Sequence, residues 1–287
     1  MLDVIGIITA EATENPEPQP LVPWWSFSKT VLAAAALVLV DGRKLDLDVP
    51  VAGAPYTLRH LLQHTSGLPD YGPNPDYHRG VAGGESPWTG DELLQRVNAS
   101  TLLSAPGTRF SYSNIGYLFV RQIIERAADT DLNDALRRLV FDPLEIEGVF
   151  VATAVEEFDA IVWGNAQRYD PRWVYHGCVV GSLPRAASCL HRLMHGDLLA
   201  PATKNAMLLP RSYDTDTNAP DDFGYGLGVM IEPARPGDRF AGHAGSGPGS
   251  TITVFSALTG QRTFAAAVGT DTPDTFPKLI EHLRALV

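Results

Sequence analysis

The sequence predicts an α+β fold: an antiparallel β-sheet flanked by helices, with an all-helical lobe inserted into it. Three observations carry that reading. Helix signals crowd the middle of the chain; from Gly224 onward the pattern turns to short strands joined by short turns; and a β-branched segment at residues 4–10 supplies a strand at the opposite end. Strands gathered at the chain ends, rather than alternating with helices, indicate an antiparallel sheet.

In chain order, the strand at 4–10 is followed by Pro16, Pro18, Pro20 and Pro23, an extended connector with few backbone donors. Residues 31–40 (Val-Leu-Ala-Ala-Ala-Ala-Leu-Val-Leu-Val) are apolar on every face, which predicts a helix enclosed all round by protein. Asp41-Gly42 stops it. Further helices are expected at 57–65, 89–98, 116–128, 131–141, 184–195 and 201–209, with Thr89-Gly90-Asp91-Glu92 reading as a capping box. Residues 68–88, rich in Pro, Gly and Asp, read as a long loop overhanging a site. Strands follow at 225–232, 239–243, 251–258 and 263–269, and an amphipathic helix at 275–287 closes the chain. The chain is expected to form one domain over residues 1–287, with a sheet lobe from about 1–56 and 215–287 and a helical lobe from about 57–214. Residues 165–182 yield no assignable pattern.

At 287 residues the chain can bury roughly three quarters of its unfolded surface. A net charge of −11 and a pI near 5.1 argue against nucleic acid or an anionic membrane as partners. The cysteines, Cys178 and Cys189, make no disulfide framework and fit a reducing compartment or simple core use. The longest apolar run, ten residues after Thr30, is short of the roughly 20 needed to span a bilayer, and no secretory signal pattern opens the chain. A cytoplasmic location is therefore expected.

Three short strings carry the chemistry. In Ser26-Phe27-Ser28-Lys29 the serine and lysine lie three apart, so on a helix both reach one face. A serine hydroxyl is a poor nucleophile until a neighbour accepts its proton, and a lysine can do so only where burial or nearby positive charge lowers its pKa. The enclosed helix that follows supplies such burial. Read alone, the string also fits a helix cap with a snorkelling lysine. The other two strings are Tyr112-Ser113-Asn114 and His243-Ala244-Gly245. His60 and His64 have the i,i+4 spacing of metal ligands but lack the glutamate of a zinc protease between them, and read as structural; no metal or organic cofactor is expected.

These strings, with residues 61–69 (Leu-Leu-Gln-His-Thr-Ser-Gly-Leu-Pro), 110–117, 141–144 and 225–228, resemble the serine β-lactamase and penicillin-binding-protein-like hydrolases. The branch resembled holds class C β-lactamases, D-Ala-D-Ala carboxypeptidases, D-amino-acid amidases and esterases. The resemblance runs from about residue 22 to the C-terminus and implies a β-lactamase/transpeptidase-like fold. It implies Ser26 as the acylated nucleophile, Lys29 as the residue sharing its proton and Tyr112 as the second proton carrier. Asn114, expected in an extended segment, would donate its amide to a substrate carbonyl. His243, Ala244, Gly245 and Ser246 would form the substrate strand, with the backbone N–H groups of Ser26 and Ser246 as oxyanion hole. The activity implied is hydrolysis of a small-molecule ester, amide or β-lactam-like substrate through an acyl-enzyme. The alternatives are a β-lactamase or D-Ala-D-Ala carboxypeptidase, and a catalytically degenerate binding member of the fold. An α/β-hydrolase is the rival from another class, but no Gly-x-Ser-x-Gly elbow occurs.

Three departures from the family pattern stand out. Ala244 lacks the hydroxyl usual in members that grip a substrate carboxylate, which favours esters or amides without that group. Trp25 replaces a small residue before the nucleophile and is expected to narrow the pocket. The segment before Ser26 is short, so an uncovered sheet edge or apolar face is expected, with either a compensating homodimer contact or a partly degenerate enzyme.

Overall fold

The computed structural model describes residues 4–9, 20–159, 161, 169–212, 224–235, 238–258, 263–270 and 281. The expected helix at 275–287 and the acidic segment at 214–222 fall outside the described residues, apart from residue 281.

Helix α1 (Ser28–Asp41) is the axis of the molecule. Its residues 28–37 and Leu39 are all buried, as an apolar surface on every face requires. The helix ends at Asp41-Gly42 as expected, but the left-handed residue is Arg43, with φ 56°, while Gly42 stays at φ −76°. The next helices are α2 (Leu58–Leu62), α3 (Pro75–Gly83), α4 (Gly90–Arg96), α5 (Asn114–Ala128) and α6 (Leu132–Leu136), the last continuing into a wider turn at Arg137–Phe141; α5, α6 and that turn pack on α1. Helices α7 (Leu183–His195) and α8 (Pro201–Met207) complete the described set. The 68–88 loop thus contains a helix, α3. Asn74 caps it and Pro75 opens it, and the loop-like composition hid these start signals.

The main sheet has the order β1-β10-β9-β8-β7-β6-β5 and its strand pairs are antiparallel. Its strands are β1 (Val4–Thr9), β5 (Arg211–Ser212), β6 (Gly224–Tyr225), β7 (Met230–Arg235), β8 (Asp238–Gly247), β9 (Ser250–Ala257) and β10 (Phe264–Thr270). The N-terminal segment therefore contributes an edge strand, in register with β10 from Val4↔Gly269 to Thr9↔Phe264. Helix α7 lies against β1, β9 and β10. The strand expected at 225–232 is broken in two, because Gly228 adopts φ +78° and approaches α1 so closely that a Cβ there would lie 2.2 Å from that of Ala33. Thr30 Oγ1 donates to the Gly228 carbonyl at 2.7 Å, fastening α1 to the sheet.

A second sheet, β2-β4-β3, joins β2 (Val22–Pro23), β4 (Cys178–Gly181) and β3 (Phe150–Ala152). Strands of two to four residues are too short to show period-2 alternation, which is why these were invisible in the sequence. They matter for the site, because β4 clamps the turn that precedes α1. Trp24 N–H donates to Val179 O at 2.8 Å, the Trp24 indole N–H to Gly181 O at 3.2 Å, and Val179 N–H to Ser28 Oγ at 3.0 Å.

Candidate active site

Ser26 sits in a single 3-10 turn, Trp25–Phe27, that leads into α1. Trp25, directly before it, holds φ 43°, a conformation disfavoured for a bulky residue and maintained here by packing. Its indole is buried, donates to Ser250 Oγ at 2.9 Å, and meets Phe158 and Tyr169 edge-on. The indole thus locks the turn to the start of β9.

One turn into the helix, Lys29 is fully buried with its Nζ 3.0 Å from Ser26 Oγ. The same nitrogen lies 2.8 Å from Asn114 Oδ1 and 3.3 Å from His176 Nε2, and over the rings of Tyr112 and Tyr117 at 5.1 and 5.6 Å. Burial, opposed in part by Asp70 and Cys178, brings its pKa from 10.5 down to about 7. The free amine is therefore within reach near neutral pH.

Tyr112 and Asn114 arrive from the start of α5. Ser113 is its N-cap: the hydroxyl accepts from Gly116 N–H at 3.1 Å and donates to Pro69 O at 2.7 Å. Asn114 is the first helical residue rather than part of an extended segment, and it reaches the lysine from there. Asp70 fixes the orientation of its amide, accepting from Asn114 N–H at 2.8 Å and from Nδ2 at 3.3 Å. The Tyr112 phenol is bonded to the Ser26 side chain, and burial drives its pKa upward, so it is a neutral proton donor. Behind it, His64 stacks at 4.2 Å between ring centroids and accepts Ser113 N–H on Nδ1 at 3.1 Å. His60, by contrast, closes a capping box with Thr57 at the start of α2. The two histidines thus serve different structural tasks.

The third string lies on β8, which runs past the end of β7, where Met230 is opposite Gly242. Residues 243–247 continue beside the Trp25–Phe27 turn. A Cβ on Gly245 would lie 2.7 Å from the Ser26 nitrogen, so glycine permits the approach of strand to nucleophile. Ala244 is half-buried and Ser246 exposed. His243 is packed inside: fully buried, its Nε2 2.9 Å from the Tyr225 hydroxyl and its Nδ1 2.5 Å from Ala244 O. Burial, assisted by the nearby lysine, pushes its pKa down to about 3, and it is neutral.

The structure thus brings Ser26, Lys29, Tyr112 and Asn114 into one hydrogen-bonded knot, with Gly245 against it and His243 behind. Sequence reasoning missed Asp70 and His176. Asp70 directly follows the recognised 61–69 string, while His176 lies in the patternless stretch before β4. Among the described residues no group of three or more His, Cys, Asp or Glu side chains is placed to hold a metal ion, and no helix is long and apolar enough to cross a membrane. Cys178 and Cys189 are buried free thiols, each pushed up to about 12 by burial.

A serine and lysine at the head of a buried helix, a tyrosine and asparagine at the head of a second, and a strand edge beside them define a class of protein built on the β-lactamase/transpeptidase fold. The beta-lactamase family model matches residues 6–286, and the chain belongs to that family. It is 24% identical over 271 residues to penicillin-binding protein 4* of Bacillus subtilis (strain 168), covering 83% of this chain and 58% of that protein. It is 30% identical over 182 residues to esterase EstB of Burkholderia gladioli, covering 56% of this chain and 46% of that one. The chain therefore matches about half the length of each relative. Among solved structures, D-amino acid amidase from Ochrobactrum anthropi SV3 superposes with a TM-score of 0.74 at 20% identity, over 92% of this chain and 86% of that chain.

Proposed function

We propose that this protein is a serine hydrolase that cleaves ester or amide bonds through an acyl-enzyme on Ser26. The observation that carries the reading is the fully buried Lys29 amine 3.0 Å from Ser26 Oγ. An esterase is among the relatives and a D-amino acid amidase among the structural neighbours, and ester and amide hydrolysis both begin with attack on a carbonyl carbon, which an activated serine can make. In the proposed cycle the Ser26 proton passes to the Lys29–Tyr112 pair as Oγ bonds to the substrate carbonyl carbon. The oxyanion is held by the backbone N–H groups of Ser26 and Ser246, the leaving group departs with a proton from Tyr112, and water then hydrolyses the acyl-enzyme. Asn114 and the 243–246 strand edge position the substrate, with His243 and Tyr225 bracing that strand from behind.

Ala244 disfavours substrates gripped by a carboxylate, since the absent hydroxyl removes a charge-assisted hydrogen bond of about 1.5–3 kcal/mol. The test is intact-protein mass spectrometry after exposure to a fluorophosphonate and, separately, to a penicillin, on wild type and Ser26→Ala. An adduct with the fluorophosphonate alone, lost in Ser26→Ala, is the expected result. Adducts with both reagents would instead favour a penicillin-recognising enzyme, and none with either would leave a binding-only member of the fold.

A further inference from the structure

Two tryptophans stand side by side directly before the nucleophile, and each indole is committed to a different sheet. Trp24 donates its ring N–H to Gly181 O on β4 at 3.2 Å, and a Cβ on Gly181 would lie 3.0 Å from that ring. Trp25 donates its ring N–H to Ser250 Oγ at the start of β9 at 2.9 Å, and a Cβ on Gly247 would lie 2.5 Å from its ring atoms. Each ring therefore occupies the space that a glycine leaves open. The backbone turns between them: Trp24 is right-handed at φ −81°, whereas Trp25 takes the left-handed φ 43° that bulky residues avoid. Such a conformation persists only where its surroundings over-determine it, and here they are Gly247, Ser250, Phe158 and Tyr169.

Gly247 and Ser250 face each other as the final rung of the β8–β9 pairing, and Ser246 comes one residue before that rung. Trp25, for its part, comes one residue before Ser26. The two backbone N–H groups assigned above to the oxyanion, those of Ser26 and Ser246, thus belong to segments distant in the chain, and one indole joins them. It is covalently adjacent to the first donor, and it packs on and bonds to the rung beside the second. Gly245 permits close approach at the same junction, since a Cβ there would lie 2.7 Å from the Ser26 nitrogen and 2.9 Å from Trp25 Cβ. An oxyanion hole works by holding its donors at a fixed spacing before charge develops, so a strand end free to drift from the nucleophile turn would lose that preorganisation. Trp25 is only 2% exposed and its ring N–H is engaged by protein, which makes it a positioning residue rather than a contact for substrate. We infer that Trp25, through Ser250 and Gly247, sets the spacing between the Ser26 and Ser246 N–H groups, an inference that rests on the hydrolase reading above.

Three variants address it, each checked for folding by circular dichroism. Ser250→Ala removes the acceptor and leaves the indole; Trp25→Phe keeps a ring and removes the N–H; Ser250→Thr keeps a hydroxyl. Turnover of an activated ester is measured alongside inhibition by an arylboronic acid, which bonds boron to Ser26 Oγ with loss of the hydroxyl proton and presents an oxygen of the tetrahedral boronate to the same two donors. Deleting an oxyanion donor outright costs about 10²–10³ in kcat, and displacing one should cost less. Ser250→Ala is therefore expected to lower kcat roughly 5- to 50-fold with KM within about twofold, and to weaken the boronate by a similar factor. Trp25→Phe should lose at least as much, and the double variant should be no worse than Trp25→Phe alone, because both changes break one hydrogen bond. Ser250→Thr should stay within a few-fold of wild type.

Folded Ser250→Ala and Trp25→Phe proteins with wild-type kcat and boronate affinity overturn the inference. So do a raised KM at unchanged kcat, which would make the indole a wall of the pocket, losses that multiply in the double variant, and a Ser250→Thr protein no better than Ser250→Ala. Hydrogen exchange read by mass spectrometry needs no turnover: Ser250→Ala should speed exchange in peptides covering 22–28 and 243–249 together, since releasing the indole loosens both sides of the junction. Exchange unchanged in either peptide overturns the inference. Absence of Ser26-dependent turnover in the wild type would sink the hydrolase reading alone, with the exchange measurement still deciding whether Trp25 ties the two segments.

Discussion

The two ends of helix α1, about 21 Å apart at 1.5 Å per residue, carry lysines in opposite circumstances. At the N-terminal end Lys29 is buried, among the described residues without a carboxylate in salt-bridge contact, and its neighbours are a hydroxyl, an amide and an imidazole. Just beyond the C-terminal end Lys44 is exposed beside a cavity of about 390 Å³ lined also by Leu45, Asp46, Val49, Leu58 and Arg126. Charges there are solvated, and the nearby Arg59–Asp48 pair, 2.6 Å apart, is largely exposed at the aspartate. Hollow space lies at one end and the proposed reactive centre at the other. What makes a lysine into a base is removal of water from around it, and that is a property of packing rather than of concavity.

Lys29→Met tests this contrast most severely. Loss of the base should cut kcat/KM by roughly a thousandfold or more, measured on the same activated ester. It should also change the pH dependence of stability. With a folded pKa of about 7 against 10.5 in the unfolded chain, the unfolded state binds more protons between those values, so wild-type stability rises with pH across that window and the burial cost is fully present below pH 7. Urea unfolding of Lys29→Met should therefore show a gain over wild type that is largest at pH 6 and shrinks toward pH 10. A gain independent of pH would mean that Lys29 is not held as described.

Smaller but still measurable is the acid sensitivity written into the buried histidines. His243 falls from 6.5 to about 3 in the fold, and His64 and His176 shift in the same direction. Unfolding therefore takes up protons as pH drops below 6.5, and stability is lost by about 1.4 kcal/mol per pH unit for each such histidine. His243→Gln should flatten that slope by roughly one such increment between pH 6.5 and 4.5. An unchanged slope would place the acid sensitivity elsewhere.

Least of all should happen at the solvated end. Lys44→Ala is expected to leave kcat/KM unchanged and to shift stability by no more than about 0.5 kcal/mol. A loss of activity there would break the contrast between the two ends and make the cavity part of the working site.

Much of this was legible in the primary structure, for reasons that differ from residue to residue. The enclosure of α1 follows from a run with no polar face, which has one stable environment. The start of α5 at Ser113 and Asn114 was displaced by two residues, because Tyr112-Ser113-Asn114 looks equally suited to a strand until the Ser113 hydroxyl is seen capping Gly116. The split of β6 from β7 depends on the contact of Gly228 with Ala33, nearly two hundred positions away in the chain, and no local pattern announces it.

In the sequence, spacing put Ser26 and Lys29 on one helical face, and the family resemblance singled out Tyr112, Asn114 and the 243–246 strand. Local forces suffice for the first, since the helical period acts over three or four residues. They do not settle protonation. The lowered pKa of Lys29 and the neutral phenol of Tyr112 arise because distant segments, α1, the start of α5, β4 and β8, converge to exclude water from one point. Desolvation belongs to the assembled fold, because it depends on groups that meet only when distant segments pack.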